Sequence, residues 1–264
     1  MTRFVAQPVR TSWSGAAVLG VVGLIAVLVP AAPLAVDARW SEAMWDIQTP
    51  FLKHLALVFD ALGHGIARAL TLAAVGIVLL VGRRWLALAC FALVESLAPL
   101  ASTILKAAVG RPRPPEAMVH PSGSSFPSGH ATYAGATCVA LVLLFTTARS
   151  RRGRWWALAA AGIVGMAWSR TYLQVHWLSD VVAGSLLGIG TALLVFGGAT
   201  SLVARAWPGT LPTTVDEHDV LPIGHDPSFA VRAAARARHL PWCRPWSRPE
   251  AGRASPARRR KRSR

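Results

Sequence analysis

Apolar and polar positions follow one another along this chain in long blocks. Gly15–Val36 is uncharged for 22 residues, enough to cross a hydrocarbon core of about 30 Å at ~1.5 Å per residue. Ile66–Gly82, Trp85–Leu105, Ala131–Ala148, Trp155–Ser169 and Val181–Ala204 repeat the pattern, the fifth being short at 15 residues. Arg68 can snorkel at the end of the second run, and Glu95 and Pro99 interrupt the third. Asp37–His64 mixes Trp40 and Trp45 with Glu42, Asp46, Lys53 and Asp60, which suits an interfacial, amphipathic connection. Gly184-xxx-Gly188 in the last run permits close helix contact. The expected architecture is all-α, a six-transmembrane-helix bundle over residues 15–204. Arg3 and Arg10 before an apolar core also fit a cleaved signal peptide, but the length of the run favours a first span.

Composition agrees with that pattern. The chain is 53% hydrophobic and 15% charged, against about 25% charged in a typical soluble domain. Its net charge of +16 points to nucleic acid only until the charges are located: thirteen basic residues lie beyond position 200. A basic segment beside membrane spans is a topogenic, lipid-facing or disordered element more often than a nucleic-acid reader. Residues 205–264, rich in Pro, Ala and Arg, read as a disordered basic tail. Six spans return both termini to one side, together with Arg83-Arg84 and the cluster from Arg149 to Arg154. The excess of basic residues makes that side cytoplasmic, so residues 1–14 are a cytoplasmic N-terminus and the tail is cytoplasmic too. The loops 37–65, 106–130 and 170–180 then share the extracytoplasmic face. Cys90, Cys138 and Cys243 show no paired spacing and read as small buried hydrophobes.

The chemistry-bearing residues fall in two of those loops. In Ser169–Asp180, a helix starting near Val175 puts His176 and Asp180 four apart on one face. A carboxylate there fixes the imidazole tautomer and makes the other ring nitrogen the better nucleophile. Arg170 adds a permanently charged fork suited to a phosphate or carboxylate. The loop after the third run supplies Lys106 and Arg113, and ends in Ser128, Gly129 and His130 at the start of an apolar run. Free backbone N–H groups at a helix start favour an anion, and a glycine lets it come close. Three cations, a helix start and two histidines make an in-line phosphoryl-transfer site, with His176 attacking phosphorus and His130 protonating the departing alcohol.

Lys106-x6-Arg113-Pro114, Pro127-Ser-Gly-His130 and Ser169-Arg170-x5-His176-x3-Asp180 together resemble the three-part signature of the type 2 phosphatidic acid phosphatase family, whose superfamily includes vanadium haloperoxidases. The resemblance implies a bacterial integral membrane phosphatase, independent of metal, acting on a lipid phosphate through a phosphohistidine. It implies His176 as nucleophile, Asp180 as its orienting partner and His130 as acid–base group, with Lys106, Arg113, Ser128, Gly129 and Arg170 binding phosphate. Undecaprenyl pyrophosphate, phosphatidic acid and phosphatidylglycerophosphate are the substrates implied, with no cofactor and with the bilayer and lipid phosphate as partners. The alternatives are a phosphotransferase using the same phosphohistidine, and a non-catalytic membrane scaffold acting through its tail.

Four polar residues lie outside this scheme. Arg111, beside the signature, reads as a headgroup contact or a solvated charge. Glu95 shares a helical stripe with Ser102 and Lys106, either beneath the substrate site or as a structural glutamate. His64 reads as structural. A metal held by His120, His130, His176 and Asp180 fits by ligand type, but the surrounding cations oppose a divalent ion.

Overall fold

The computed structural model describes residues 8–146 and 152–206. Within them the regular elements are helices alone: α1 (Pro8–Leu28), α2 (Ala35–Asp46), α3 (Pro50–Leu62), α4 (Gly65–Val81), α5 (Trp85–Val109), α6 (Gly129–Phe145), α7 (Arg152–Tyr172) and α8 (Leu178–Ala206). Helix α5, and α8 over Leu178–Val203, are long and apolar enough to cross a membrane. Helices α3 and α4, bent by 52° at their junction, form a third such passage if taken together. Helix α6 and the Ser12–Leu28 part of α1 are apolar but shorter. The expected tail, beyond residue 206, lies outside the described residues, as does the end of the fourth apolar run at Ala148.

Several boundaries differ from expectation, each for a local reason. The first apolar run stops being helical at Leu28, because Pro30 and Pro33 cannot continue a hydrogen-bonded turn. The amphipathic connection is two short helices, and Thr49 caps the second by accepting the Leu52 N–H ahead of Pro50. Helix α5 passes through Pro99 and closes on Gly110, whose φ of 62° is the left-handed conformation that ends helices. Helix α7 is 21 residues long, so Arg170 sits on its last turn instead of in a loop.

Helix α8 starts at Leu178, three residues later than the spacing suggests. Its first turn is set by Asp180, whose Oδ2 accepts the Trp177 N–H at 2.9 Å, the acidic half of a capping box. His176 therefore precedes the helix, in a five-residue link from Leu173 to Trp177.

The main core joins α4, α5, α6 and α8 through Leu79, Phe91, Val94, Val139, Leu144 and Phe196. Helices α6 and α8 meet nearly backbone to backbone. A Cβ at Gly184 would lie 2.4 Å from the Ser128 carbonyl oxygen, and one at Gly188 2.1 Å from that of Thr132. The Gly-xxx-Gly spacing is thus what lets the Ser128–His130 turn settle against the start of α8. A smaller core of Met44, Ala56, Tyr172, Leu173 and Val175 ties the link to α2 and α3. Polar contacts lock it: Trp40 Nε1 donates to Thr171 Oγ1 at 3.0 Å, Ser41 Oγ to Gln174 Oε1 at 2.6 Å, and Gln48 Nε2 to the Tyr172 carbonyl at 2.9 Å. The link carrying His176 is held from both sides.

Candidate active site

His176 is buried, with Nδ1 3.6 Å from Asp180 Oδ2 and Nε2 3.2 Å from Arg113 Nη1. A guanidinium can only donate, so Nε2 is the accepting, unprotonated nitrogen and the proton lies on Nδ1, which faces Asp180 but at 3.6 Å makes no hydrogen bond to it. That is the tautomer a nucleophilic imidazole needs, with its lone pair aimed at a cation. Burial pushes the His176 pKa down to about 4 against the pull of Asp180, with Arg113 and Lys106 adding to the depression. The ring is therefore neutral at ordinary pH.

Arg113 and Lys106 are the cations felt at this ring. Lys106 Nζ, on the last turn of α5, donates to the Ser124 carbonyl at 2.8 Å. Arg113 donates to the carbonyls of Ser122 at 2.7 Å, Gly123 at 2.9 Å and Val175 at 2.7 Å. Burial, then the charge of Arg170, push Arg113 below its ordinary pKa, which records how closely the cations crowd. Ser128 caps α6, its Oγ accepting from Ala131 N at 3.5 Å, and its own N–H is held by the Asp180 carbonyl at 3.0 Å. A Cβ on Gly129 would meet no atom within 4 Å, so the N-terminal turn of α6 opens on free space. Arg170 is 3% exposed, and its Nε is a buried donor with no partner among the described residues. An unpaired buried N–H among crowded cations is an unmet demand for an anion.

Every residue of the expected site thus falls at one end of the bundle, with two differences in detail. Arg170 pairs with Asp60 of α3. His130, whose Nε2 lies 3.3 Å from Asp60 Oδ1, faces that same carboxylate, and His64 Nδ1 is 3.4 Å away. Burial first, then Arg170, His176 and His64, hold His130 below the usual imidazole range, while the Asp60 backbone pulls the other way. His120 is exposed; among the described residues the donors that cluster are Asp60, His64 and His130. Two of their atoms are already committed. His64 Nδ1 lies 2.6 Å from the Asp60 carbonyl, which requires a proton on that nitrogen, and Arg170 occupies Asp60 Oδ1. Hydrogen bonds thus already link the trio to one another and to Arg170.

The reading of Arg111 as a solvated charge is wrong. Arg111 is completely buried. Its Nη1 donates to Asp180 Oδ1 at 2.7 Å and to Ser179 Oγ at 2.7 Å, and its Nη2 to Asp37 Oδ2 at 2.8 Å. Asp37 in turn accepts the Ser179 N–H at 2.8 Å. One oxygen of Asp180 is thereby anchored while the other faces His176. The position of Arg111, between Gly110 and Pro112 and two residues before Arg113, gave no sign of this, since its partners lie 74 and 69 residues away. Asp60 and His64 were equally hidden, as single polar residues in an amphipathic stretch.

Comparison with known proteins places residues 85–201 under the model of the PAP2 superfamily. The chain is 39% identical over 69 residues to an undecaprenyl-diphosphatase of Sulfolobus acidocaldarius, covering 26% of this chain and 30% of that protein. It is 34% identical over 105 residues to phosphatidylglycerophosphatase B of Bacillus subtilis, covering 37% and 51% respectively. The aligned stretches thus span about a third to a half of these relatives. In fold, the chain resembles the crystal structure of a transmembrane PAP2-type phosphatidylglycerolphosphate phosphatase from Bacillus subtilis, with a TM-score of 0.56 and 24% identity, over 78% of this chain and all of the other.

Proposed function

From a chain whose residues 85–201 belong to the PAP2 superfamily, we propose a membrane lipid phosphatase that releases phosphate by way of a phosphohistidine. The observation that carries this reading is the imidazole of His176, with its accepting nitrogen beside Arg113 and its other nitrogen turned to Asp180. A phosphate seated on Lys106, Arg113, the free Nε of Arg170 and the N-terminal turn of α6 at Ser128 and Gly129 would have its equatorial charge neutralised by cations and amides. His176 Nε2 attacks phosphorus as the bond to the lipid oxygen breaks, and His130 delivers a proton to that oxygen. In the second half, His130 takes a proton from water, the water oxygen bonds to phosphorus, and the N–P bond electrons return to His176. Asp180 holds the imidazole and balances its charge throughout.

The substrate class is a lipid monophosphate or pyrophosphate such as phosphatidic acid, phosphatidylglycerophosphate or undecaprenyl pyrophosphate. The six apolar runs and the placement of basic residues in the sequence support six spans, an extracytoplasmic site and cytoplasmic termini. A phosphate cradle at one end of the bundle suits a headgroup at the interface with its tails in the bilayer.

The test is phosphate release in detergent with EDTA present, from phosphatidic acid and from a polyprenyl pyrophosphate, for wild type beside His176→Ala. Release by the wild type and a loss of at least ~1,000-fold in the variant are expected. A variant that keeps a tenth of the rate would remove His176 as nucleophile.

A further inference from the structure

The α3–α4 corner lies outside the stretch that matches the PAP2 model, yet it forms one wall of the site. Three observations converge there. Asp60 Oδ1 is 3.3 Å from His130 Nε2 and holds Arg170 through the same oxygen. The His64 ring meets the His130 ring edge-on, with centroids 5.4 Å apart. At Gly63, which ends α3, a Cβ would come within 2.3 Å of His130 Cδ2, so the chain turns here against the face of that ring. The ring of His130 thus lies against Asp60 from α3 and His64 at the start of α4, and Asp60 also holds Arg170 from α7.

Resting on the phosphatase reading above, we propose that Asp60 is the positioning carboxylate of His130, a counterpart on α3 to what Asp180 is for His176. An imidazole that must carry a proton to an alkoxide, among Arg170, Arg113 and Lys106, needs a negative neighbour to hold that proton. Asp60 is the carboxylate within reach. An ion pair serving only to fasten α3 to α7 would require neither the His130 contact nor a glycine moulded to its ring.

The full chain in detergent provides the test, using two leaving groups. Diacylglycerol leaving from phosphatidic acid needs a proton; p-nitrophenolate leaving from p-nitrophenyl phosphate does not. In kcat/KM, which does not include the hydrolysis of the phosphohistidine that both substrates share, Asp60→Asn is expected to lose about 10- to 100-fold on phosphatidic acid and no more than about threefold on p-nitrophenyl phosphate. The alkaline limb of kcat/KM on phosphatidic acid should also move down by about one pH unit, since a carboxylate beside an imidazole favours its protonated form. Asp60→Glu, which keeps the charge, should give a rate ratio between wild type and Asp60→Asn. If Asp60→Asn does not elute as the wild type does, Asp60→Glu alone decides, and a ratio equal to wild type overturns the assignment. Equal losses on both substrates with an unmoved limb, or no loss on either, overturn it as well. If the wild type turns over only phosphatidic acid, the movement of the limb decides. A wild type silent on every lipid phosphate and on p-nitrophenyl phosphate would overturn the phosphatase reading and this assignment with it.

Discussion

The two histidines of the site are supported in different ways. His176 depends on a carboxylate four residues along its own chain, and Asp180 is steadied in turn by Arg111 from the loop after α5 and, through it, by Asp37 of α2. His130 takes its carboxylate from α3, 70 positions earlier in the sequence, at a helix junction bent by 52°. The first arrangement is compact in sequence and can be read as a motif. The second is compact only in space. On the proposed reading, a spacing signature captures the groups that face the phosphate, while the groups that aim them come from wherever the fold passes close by.

The largest effect that would break this contrast is at Arg111. Two carboxylates, Asp37 and Asp180, share one completely buried guanidinium. Removing one partner from a buried ion pair leaves an uncompensated charge and typically costs 3–5 kcal/mol. Arg111→Met is therefore expected to lower the melting midpoint by well over 5 °C and to cut activity more than tenfold. Asp37→Asn, which keeps the shape and removes one charge, should cost less. If Arg111→Met melts with the wild type, the guanidinium has no part in holding Asp180, and the chain of support behind His176 ends at Asp180.

How much of this was legible follows from the same contrast. The long apolar blocks gave helices close to α4, α5, α6 and α8, because a run without charges has few other ways to satisfy its backbone in a bilayer. The start of α8 was misplaced because Asp180 does two jobs, capping the helix and facing His176, and a four-residue spacing suggests one shared helix face. The first run overshot because hydropathy does not register what Pro30 and Pro33 do to a helix. Lys106, Arg113, Ser128, Gly129, His130, Arg170, His176 and Asp180 were proposed from spacing, and the fold brings them to one end of the bundle. Asp37, Asp60, His64 and Arg111 were not, since a charged residue near a loop is usually solvated and only tertiary contact says otherwise. Burial decides between those two fates, and burial is not written locally.

A smaller effect sharpens the role of burial around His176. Its pKa is pushed down to about 4, burial outweighing Asp180. As the proposed nucleophile His176 works unprotonated, so on p-nitrophenyl phosphate, whose leaving group needs no proton, the acid limb of kcat/KM is expected near pH 4 instead of near 6.5. At pH 5.5 a histidine of ordinary pKa would be only about 10% neutral, whereas this one is nearly all neutral, a difference of about tenfold in rate. The linked stability has the same direction. In the unfolded chain His176 takes up its proton near pH 6.5, while in the fold it resists until near 4, so stability is lost as pH falls through that window and no further below it. An acid limb between pH 6 and 7 would mean that Asp180, not burial, governs the ring.

The smallest expected effect concerns a polar group inside the matched stretch that lies off this scheme. Glu95, mid-way along α5, accepts a hydrogen bond from Thr137 Oγ1 on α6 at 2.7 Å through Oε1, while Oε2 has no partner among the described residues. A carboxyl at such depth is costly unless it is used, and the contact that is present joins two helices and no member of the phosphate cradle. Glutamine keeps the accepting oxygen toward Thr137 and replaces only the unpartnered one. Glu95→Gln should therefore hold phosphate release within about threefold of wild type and leave the melting midpoint nearly unchanged, because the one retained hydrogen bond contributes only about 1 kcal/mol. A loss beyond tenfold with an unchanged midpoint would mean that the free oxygen meets the substrate, extending the site down the α5–α6 seam. Glu95 would then join Asp60 and Arg111 as a residue whose role is set by where the fold carries it.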